Sequence, residues 1–206
     1  MKSLCLTLFL FCQTTFNNFD FTYSTKEEFI KGIANCTLLA NTFIPPTERV
    51  IILISVGQAV LESDWGQSRF AKTGNNFYGV IETDPTSPHL KALGNPKIMI
   101  RVYDKKCESV ADYINILNNH PNFKEYQDLL VKQYISGEMD PLAVIKTLHK
   151  YAIDPNYVEK LAKTMSTLLK EYPTLFHLTY NNKSYIIPIN ENGATFSEYG
   201  STTVTR

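Results

Sequence analysis

The sequence predicts an α+β fold that is mainly helical, with one small irregular or β-containing lobe. Apolar residues recur at helical spacing through residues 26–41, 50–63 and 108–172. Between the early and late helices, residues 74–103 contain GNN, DPTSP and LGNP before the extended run IMIRVY, a pattern typical of loops around a short strand or hairpin. The chain contains no internal repeat.

The early helices differ in character. Residues 26–41 place one apolar stripe on a helical face: Phe29, Ile33, and Cys36 or Thr37. Pro45-Pro46 breaks the chain, and Thr47-Glu48 opens the run VIILISVGQAVLES. Because that run is apolar on almost every side, it predicts a helix in the middle of the domain rather than on its surface.

Later residues predict further helices and a different ending. Two stripes at helical spacing are Val110, Tyr113, Ile114, Leu117 and Phe123, Tyr126, Leu130, Tyr134. Asp140-Pro141 and Asp154-Pro155 each combine an N-cap residue with proline at the first helical position, which predicts two helix starts. The last helix turns Val158, Leu161, Met165 and Leu168 inward and ends before Pro173, and residues 178–206 are polar and β-prone.

Composition excludes several classes of partner. The 206 residues carry 20 basic and 20 acidic side chains, so the chain has no overall field to gather nucleic acid or an anionic membrane. The four histidines are scattered without ligand spacing, and we expect neither a metal site nor a cofactor. We expect a monomer.

The N-terminus predicts export. In MKSLCLTLFLFCQTTF one lysine precedes a short apolar stretch and then polar residues, the order of a signal peptide, although no A-x-A cleavage pair follows. The alternative is a buried N-terminal helix or strand. We therefore divide the chain into a signal peptide (1–20), a catalytic domain (25–177) and a β-prone tail (178–206), and expect a periplasmic or secreted protein without a membrane span once mature.

Export would leave Cys36 and Cys107 in the mature protein. In an oxidising compartment they could form one disulfide, or they could be two buried thiols.

The segment AVLESDWGQSRFAKTGNNFYGV contains candidate catalytic and sugar-binding residues. A carboxylate at the end of an apolar helix is desolvated, which raises its pKa, so Glu62 could act as the general acid of a glycosidase. Trp65 could form a wall for a sugar ring, and Asn75 and Asn76 could donate hydrogen bonds to a saccharide. Each residue alone has a structural alternative: a solvated helix end, a core tryptophan and an asparagine turn.

Three motifs resemble the glucosaminidase family, peptidoglycan hydrolases of the flagellar muramidase and Bax-like type. ESDWGQS followed by GNNFYGV is similar to the family's E-S-x-W-G-x-S and N-N-x-F-G. VYDKKCESVADYINILNNHPNFKEY is similar to its Y-D-S segment, and YAIDPNYVEKL to its Y-A-T-D-P-x-Y stretch. The resemblance spans roughly residues 45–170, and SRFAK with NHPNF favours the Bax-like branch.

The resemblance implies a lysozyme-like fold and cleavage of the β-1,4 bond after N-acetylglucosamine in peptidoglycan glycan strands. It places the general acid on Glu62 and a cleft tyrosine on Tyr151, which could bind sugar or orient water. Trp65, Asn76 and Phe77 fall on motif positions as candidate substrate-binding residues, with a structural role as the alternative. Tyr157, by contrast, is interpreted as core packing.

The second carboxylate departs from the family pattern. Glu82 and Asp84 are the only acids between N-N-F-Y-G and the Y-D segment, and we expect both in a loop. A loop is poorly suited to fixing a nucleophile, so we expect one of them, with Glu82 favoured, to act as a base across a wide gap. The alternative is assistance by the substrate's own acetamido group.

Two other functions remain open on this sequence. A lytic transglycosylase or goose-type lysozyme would share the fold, although its G-L-M-Q segment is absent. An inactive cell-wall-binding protein on the same scaffold would need no second acid.

Overall fold

The computed structural model describes residues 20–176 and, after them, the backbone of four short strands within residues 178–194. The predicted signal peptide lies outside the described residues, apart from Asp20. Phe21 and Tyr23 already pack against the core, so the packed domain begins slightly before the predicted boundary at residue 25.

The described residues contain seven α-helices and seven short strands. The helices are α1 (Lys26–Asn41), α2 (Ile52–Ser63), α3 (Arg69–Gly74), α4 (Lys106–Asn119), α5 (Lys124–Ser136), α6 (Pro141–Lys146) and α7 (Tyr157–Glu171), with 3-10 turns at Pro46–Glu48, Pro121–Phe123 and Pro173–Leu175. The strands are β1 (Ile81–Glu82), β2 (His89–Lys91), β3 (Met99–Arg101), β4 (Leu178–Tyr180), β5 (Lys183–Tyr185), β6 (Ile189–Asn190) and β7 (Gly193–Ala194). The prediction of a mainly helical α+β fold is confirmed.

Helix α2 is the centre of the domain, as its sequence predicts. Every residue from Leu53 to Val60 is buried, and the helix packs against α1 and α7. It begins later than predicted, at Ile52, because the preceding Pro46–Glu48 forms a separate 3-10 turn.

Helix α1 is joined to α4 by a disulfide between Cys36 and Cys107. Of the two alternatives left open by the sequence, the structure therefore has the disulfide. At its start α1 has a capping box, in which Thr25 accepts from the Glu28 backbone and the Glu28 side chain binds back to Thr25.

The two Asp-Pro helix signals have different outcomes. Asp140 caps α6 by accepting from the backbone N–H groups of Leu142 and Ala143, as predicted. Asp154 instead closes a turn by accepting from the Asn156 N–H at 2.9 Å, and α7 begins only at Tyr157.

The small lobe contains more sheet than predicted. β1, β3 and β2 form an antiparallel sheet in that order, with Ile81 opposite Ile100 and Leu90 also opposite Ile100. In the β-prone tail, β4 pairs with β5 and β6 with β7.

The described residues contain neither a candidate membrane span nor a candidate metal site. None of their helices combines the length and the apolar character needed to cross a membrane. No three His, Cys, Asp or Glu side chains among them are grouped as metal ligands.

Candidate active site

Glu62 lies in the last turn of α2, with the buried residues of that helix before it and the left-handed Asp64 after it. Its side chain is partly exposed. Burial raises the pKa of the Glu62 carboxyl above its ordinary value, and a hydrogen bond with the Tyr157 hydroxyl opposes that shift. The environment predicted for a general acid is therefore present.

The turn after Glu62 explains the small and polar residues of its motif. The buried Ser63 hydroxyl donates to the Ala59 carbonyl at 2.5 Å and accepts from the Gly66 N–H at 2.8 Å. Asp64, Trp65 and Gly66 all have positive φ, at 50°, 57° and 74°. A side chain at Gly66 would bring its Cβ to 2.5 Å from the Tyr23 hydroxyl oxygen, so only glycine fits this reversal.

Trp65 is partly exposed but well held. Its ring lies 6.2 Å from the Tyr172 ring, and the Lys26 ammonium lies 4.4 Å from its centroid. The tryptophan is therefore fixed between the start of α1 and the end of α7. Its contact with a sugar stays a prediction.

The two asparagines build the lobe rather than face substrate. Asn76 is buried; its amide donates to the carbonyls of Val80 and Arg101 at 3.0 and 2.9 Å, and its oxygen accepts from the N–H groups of Tyr78 and Val80. Both amide hydrogens and both lone pairs are thus engaged. Asn75 uses both its amide hydrogens on the carbonyls of Tyr103 and Asp104. The expectation that these amides donate to a saccharide is wrong.

Phe77 has the structural role, which is the alternative to its role as a candidate substrate-binding residue. It is fully buried, its ring lies 5.5 Å from the Phe29 ring, and its N–H donates to the Ser109 hydroxyl at 3.2 Å. The extra aromatic, Tyr78, is buried as well and stacks on Tyr113 with ring centroids 3.9 Å apart.

Gly79 brings the lobe to the carboxylate. It is exposed and has a φ of 67°. A Cβ built on it would lie 3.8 Å from Glu62 Oε2. The absence of a side chain therefore leaves the space beside the carboxylate open.

Two tyrosines complete the surroundings of Glu62. Tyr151, which the sequence predicted, is partly exposed, donates to the Tyr78 carbonyl at 2.9 Å and stacks on Tyr157 with centroids 5.5 Å apart. The interpretation of Tyr157 as a core-packing residue is confirmed, since it is buried in the hydrophobic core, and its hydroxyl also interacts with the Glu62 carboxyl. The signal that could have revealed it is the polar Gln58, one helical turn before Glu62 in an otherwise apolar run.

The two candidate bases differ in how firmly they are held. Glu82 lies on β1, not in a loop as expected, and its side chain is 8% exposed. It accepts from Arg101 Nε at 2.8 Å and from the backbone N–H groups of Thr83 and Asp84 at 2.8 and 3.0 Å. These hydrogen bonds lower the pKa of Glu82.

Asp84 lies in the turn that follows and is exposed. Its carboxylate accepts from both the N–H and the hydroxyl of Thr86, at 2.9 and 2.7 Å, which lowers its pKa. Both candidates are therefore ionised at neutral pH, as a base must be.

Comparisons with known proteins identify the family of the chain. Residues 47–170 match the glucosaminidase family, described as mannosyl-glycoprotein endo-beta-N-acetylglucosaminidase. Exo-glucosaminidase LytG of Bacillus subtilis is 30% identical over 125 residues, which cover 55% of this chain and 42% of LytG. Peptidoglycan hydrolase FlgJ of Salmonella typhimurium is 27% identical over 127 residues, 55% of this chain and 38% of FlgJ. The chain thus matches less than half the length of both relatives.

Solved structures share the fold. The glycoside hydrolase domain of Salmonella typhimurium FlgJ superposes with a TM-score of 0.55 at 23% identity, covering 74% of this chain and 93% of that domain. A peptidoglycan hydrolase from Sphingomonas sp. A1 gives a TM-score of 0.55 at 22% identity, covering 76% of this chain and 99% of that one.

Proposed function

The chain belongs to the glucosaminidase family, and we propose that it is an endo-β-N-acetylglucosaminidase that hydrolyses β-1,4 bonds in peptidoglycan glycan strands, with Glu62 as general acid. The observation that carries the proposal is the carboxyl of Glu62, whose pKa burial raises, at a position beside the exposed Gly79. A carboxyl kept protonated near neutral pH can protonate the leaving oxygen of a glycosidic bond.

Tyr151 is the second residue that we place in the site. Its hydroxyl hydrogen is held by the Tyr78 carbonyl, which leaves the oxygen lone pairs free to accept from a sugar hydroxyl or a water. Trp65, three residues after Glu62, supplies a partly exposed apolar surface.

For the base we propose Glu82, with Asp84 as the alternative. Glu82 is ionised and fixed on a strand, both of which favour a base, but three donors already occupy its oxygens. Those bonds also support the rival route, in which the substrate's acetamido group replaces the base.

A matched set of variants separates chemistry from structure at Glu82. Arg101 binds Glu82 through Nε and Asp112 through a second nitrogen at 2.6 Å, so Glu82→Gln and Asp112→Asn each remove one partner of the same guanidinium. If Glu82 is the base, Glu82→Gln loses about a hundredfold or more of turnover while Asp112→Asn does not. Equal effects would make Glu82 structural, and Asp84→Asn would then be decisive between Asp84 and the acetamido route.

The activity itself is tested on purified cell walls. A zymogram should show a clear band for the natural protein and none for Glu62→Gln, whose amide keeps the shape and cannot donate the proton; general acid catalysis contributes about 10²–10⁴-fold. Clearing by Glu62→Gln would remove Glu62 from the mechanism. No clearing by either protein would favour a wall-binding function.

Mass analysis of the products separates the enzymes that share this fold. Reducing N-acetylglucosamine ends support the proposal, whereas anhydro-muramyl ends would identify a lytic transglycosylase and reducing muramyl ends a muramidase. An early fall in glycan strand length would support endo cleavage; release of small products at unchanged strand length would indicate exo cleavage.

We further propose that the protein acts outside the cytoplasm, periplasmic or secreted, as a monomer on glycan strands. The Cys36–Cys107 disulfide supports an oxidising compartment. Fractionation of cells with N-terminal sequencing of the exported form tests the predicted signal peptide.

A further inference from the structure

Two buried hydrogen bonds run from Tyr113 on α4, through Gln58 on α2, to Tyr157 on α7, whose hydroxyl interacts with the Glu62 carboxyl. The Tyr113 hydroxyl lies 2.5 Å from Gln58 Oε1, and Gln58 Nε2 lies 2.7 Å from the Tyr157 hydroxyl oxygen. Gln58 is fully buried, Tyr113 fully buried and Tyr157 nearly so.

The donor and acceptor of each hydrogen bond in this series follow from the carboxylate of Glu62. Once Glu62 has given up its proton, its carboxylate only accepts hydrogen bonds, so in that state Tyr157 donates its proton to Glu62. The Tyr157 oxygen is then left to accept, which requires the amide nitrogen of Gln58 to face it. The amide oxygen of Gln58 consequently faces Tyr113, whose hydroxyl donates to it.

We propose that Gln58 and Tyr113 are positioning residues, which hold the Tyr157 hydroxyl proton on Glu62 by fixing the orientation of the Gln58 amide. This inference rests on the proposed role of Glu62 for its catalytic consequence. The proposed orientation of the Gln58 amide and of the Tyr157 hydroxyl does not depend on that role. A donor aimed at the carboxylate stabilises the conjugate base that forms as Glu62 gives up its proton, and so counteracts part of the effect of burial.

Within residues 20–176, the titratable groups that interact electrostatically with Glu62 are tyrosines on two segments: Tyr157 at the start of α7 and Tyr151 in the loop before it. Burial raises the pKa of both above the ordinary tyrosine value, so neither changes charge where a glutamate titrates. A change in the titration of Glu62 in variants of Tyr157, Tyr113 or Gln58 therefore reports a change in hydrogen bonding and not a change in the charge of a neighbouring tyrosine.

The proposal predicts that a substitution at Tyr113 changes the pKa of Glu62, although Gln58 and Tyr157 lie between them. In Tyr113→Phe the stacking on Tyr78 is kept, but the Gln58 oxygen loses its donor. The amide can then turn and accept the Tyr157 proton, which takes that proton from Glu62 and raises the pKa of Glu62. In Gln58→Met no acceptor competes, so Tyr157 keeps donating to Glu62.

The experiment titrates Glu62 directly in protein with ¹³C-labelled glutamate carboxyls, where the Glu62 signal is the one lost in Glu62→Gln. Tyr157→Phe should lower the acid dissociation constant of Glu62 by about tenfold or more, the effect expected from losing one hydrogen bond to a charged group. Tyr113→Phe should shift it in the same direction by a smaller factor. The double variant Tyr113→Phe/Gln58→Met should return toward the natural value, a non-additivity that a merely structural role would not produce.

Tyr126→Phe is the matched control. Tyr126 is a buried tyrosine that couples to Tyr113, yet its hydroxyl has no hydrogen-bond partner among the described residues. Its loss should leave the titration of Glu62 unchanged. An unchanged titration in Tyr113→Phe, or additive effects in the double variant, overturns the proposal.

The natural protein provides a second test that needs no variant to fold. The Gln58 amide protons should show nuclear Overhauser contacts to the Tyr157 ring, and contacts to Tyr113 in their place would overturn the assigned direction. In the pH profile of kcat/KM, the basic limb should move to higher pH in Tyr157→Phe and Tyr113→Phe. If Glu62→Gln keeps its activity, the proposed function fails, while the titration still decides this inference.

Discussion

Reducing the Cys36–Cys107 disulfide should destabilise the domain without touching its catalytic residues. The bond links residues 71 apart in sequence and encloses α2 and the whole lobe. A crosslink over a loop of that length removes chain entropy from the unfolded state worth about 4 kcal/mol at 25 °C. For a domain of about 150 residues, each kcal/mol changes Tm by about 2–4 °C, so reduction should lower Tm by about 8–16 °C.

The assay is thermal unfolding with and without a reductant, monitored by circular dichroism. Cys36→Ser/Cys107→Ser is the control, since its Tm should not respond to the reductant. Peptide mapping without reduction should recover residues 36 and 107 in one linked fragment. Equal Tm values for the oxidised and reduced protein, or a map with both thiols free, would refute the reasoning.

Three further predictions concern residues around the site. Folding raises the pKa of Glu62, so the natural protein loses stability as the pH rises from the unfolded-state pKa of about 4.3 through the folded-state pKa. The loss is about 1.4 kcal/mol for each unit between the two pKa values. Glu62→Gln should therefore have a higher Tm than the natural protein at pH 7 and the same Tm below pH ~4. Asn76→Ala leaves buried backbone groups unpaired and should cost about 2–4 kcal/mol in urea unfolding, with KM for peptidoglycan unchanged in the folded protein. Gly79→Ala puts a side chain at a φ of 67°, which costs about 1–2 kcal/mol, and its methyl lies 3.8 Å from the Glu62 carboxylate, so turnover should fall by more than the Tm change explains. A Gly79→Ala enzyme with natural turnover would show that substrate does not approach Glu62 from this side.

The sequence predicted the features that depend on apolar periodicity and on local caps. The buried character of α2 follows from a run with apolar residues on every side, and Asp140 caps α6 through its own side chain. The three-stranded sheet was less predictable, because β1 has only 2 residues and its pairing with β3 depends on Asn76, which holds the carbonyls of Val80 and Arg101. No local pattern reveals such a tertiary contact.

The site was predicted in part for a related reason. A match to a motif position does not distinguish a residue that contacts substrate from one that stabilises the fold. Phe77 has the same place in the pattern that a sugar-binding aromatic would have, yet its ring is buried against Phe29. Tyr157 shows the converse, since a tyrosine at a helix start is a normal core residue until the end of another helix brings a carboxyl to its hydroxyl.

The pKa values of the two carboxyls proposed as acid and base are shifted in opposite directions by their surroundings. Burial raises the pKa of Glu62, whereas backbone N–H groups and Arg101 lower the pKa of Glu82. An acid must hold its proton and a base must have lost its own, so this separation is what a general acid and a general base need at one working pH. Three donors fill most of the roughly four acceptor positions of the Glu82 carboxylate, so if Glu82 is the base, an attacking water would bind at the remaining position, on the oxygen that accepts from Arg101. Should that water displace the Arg101 contact, Asp112 remains as the second partner of the guanidinium.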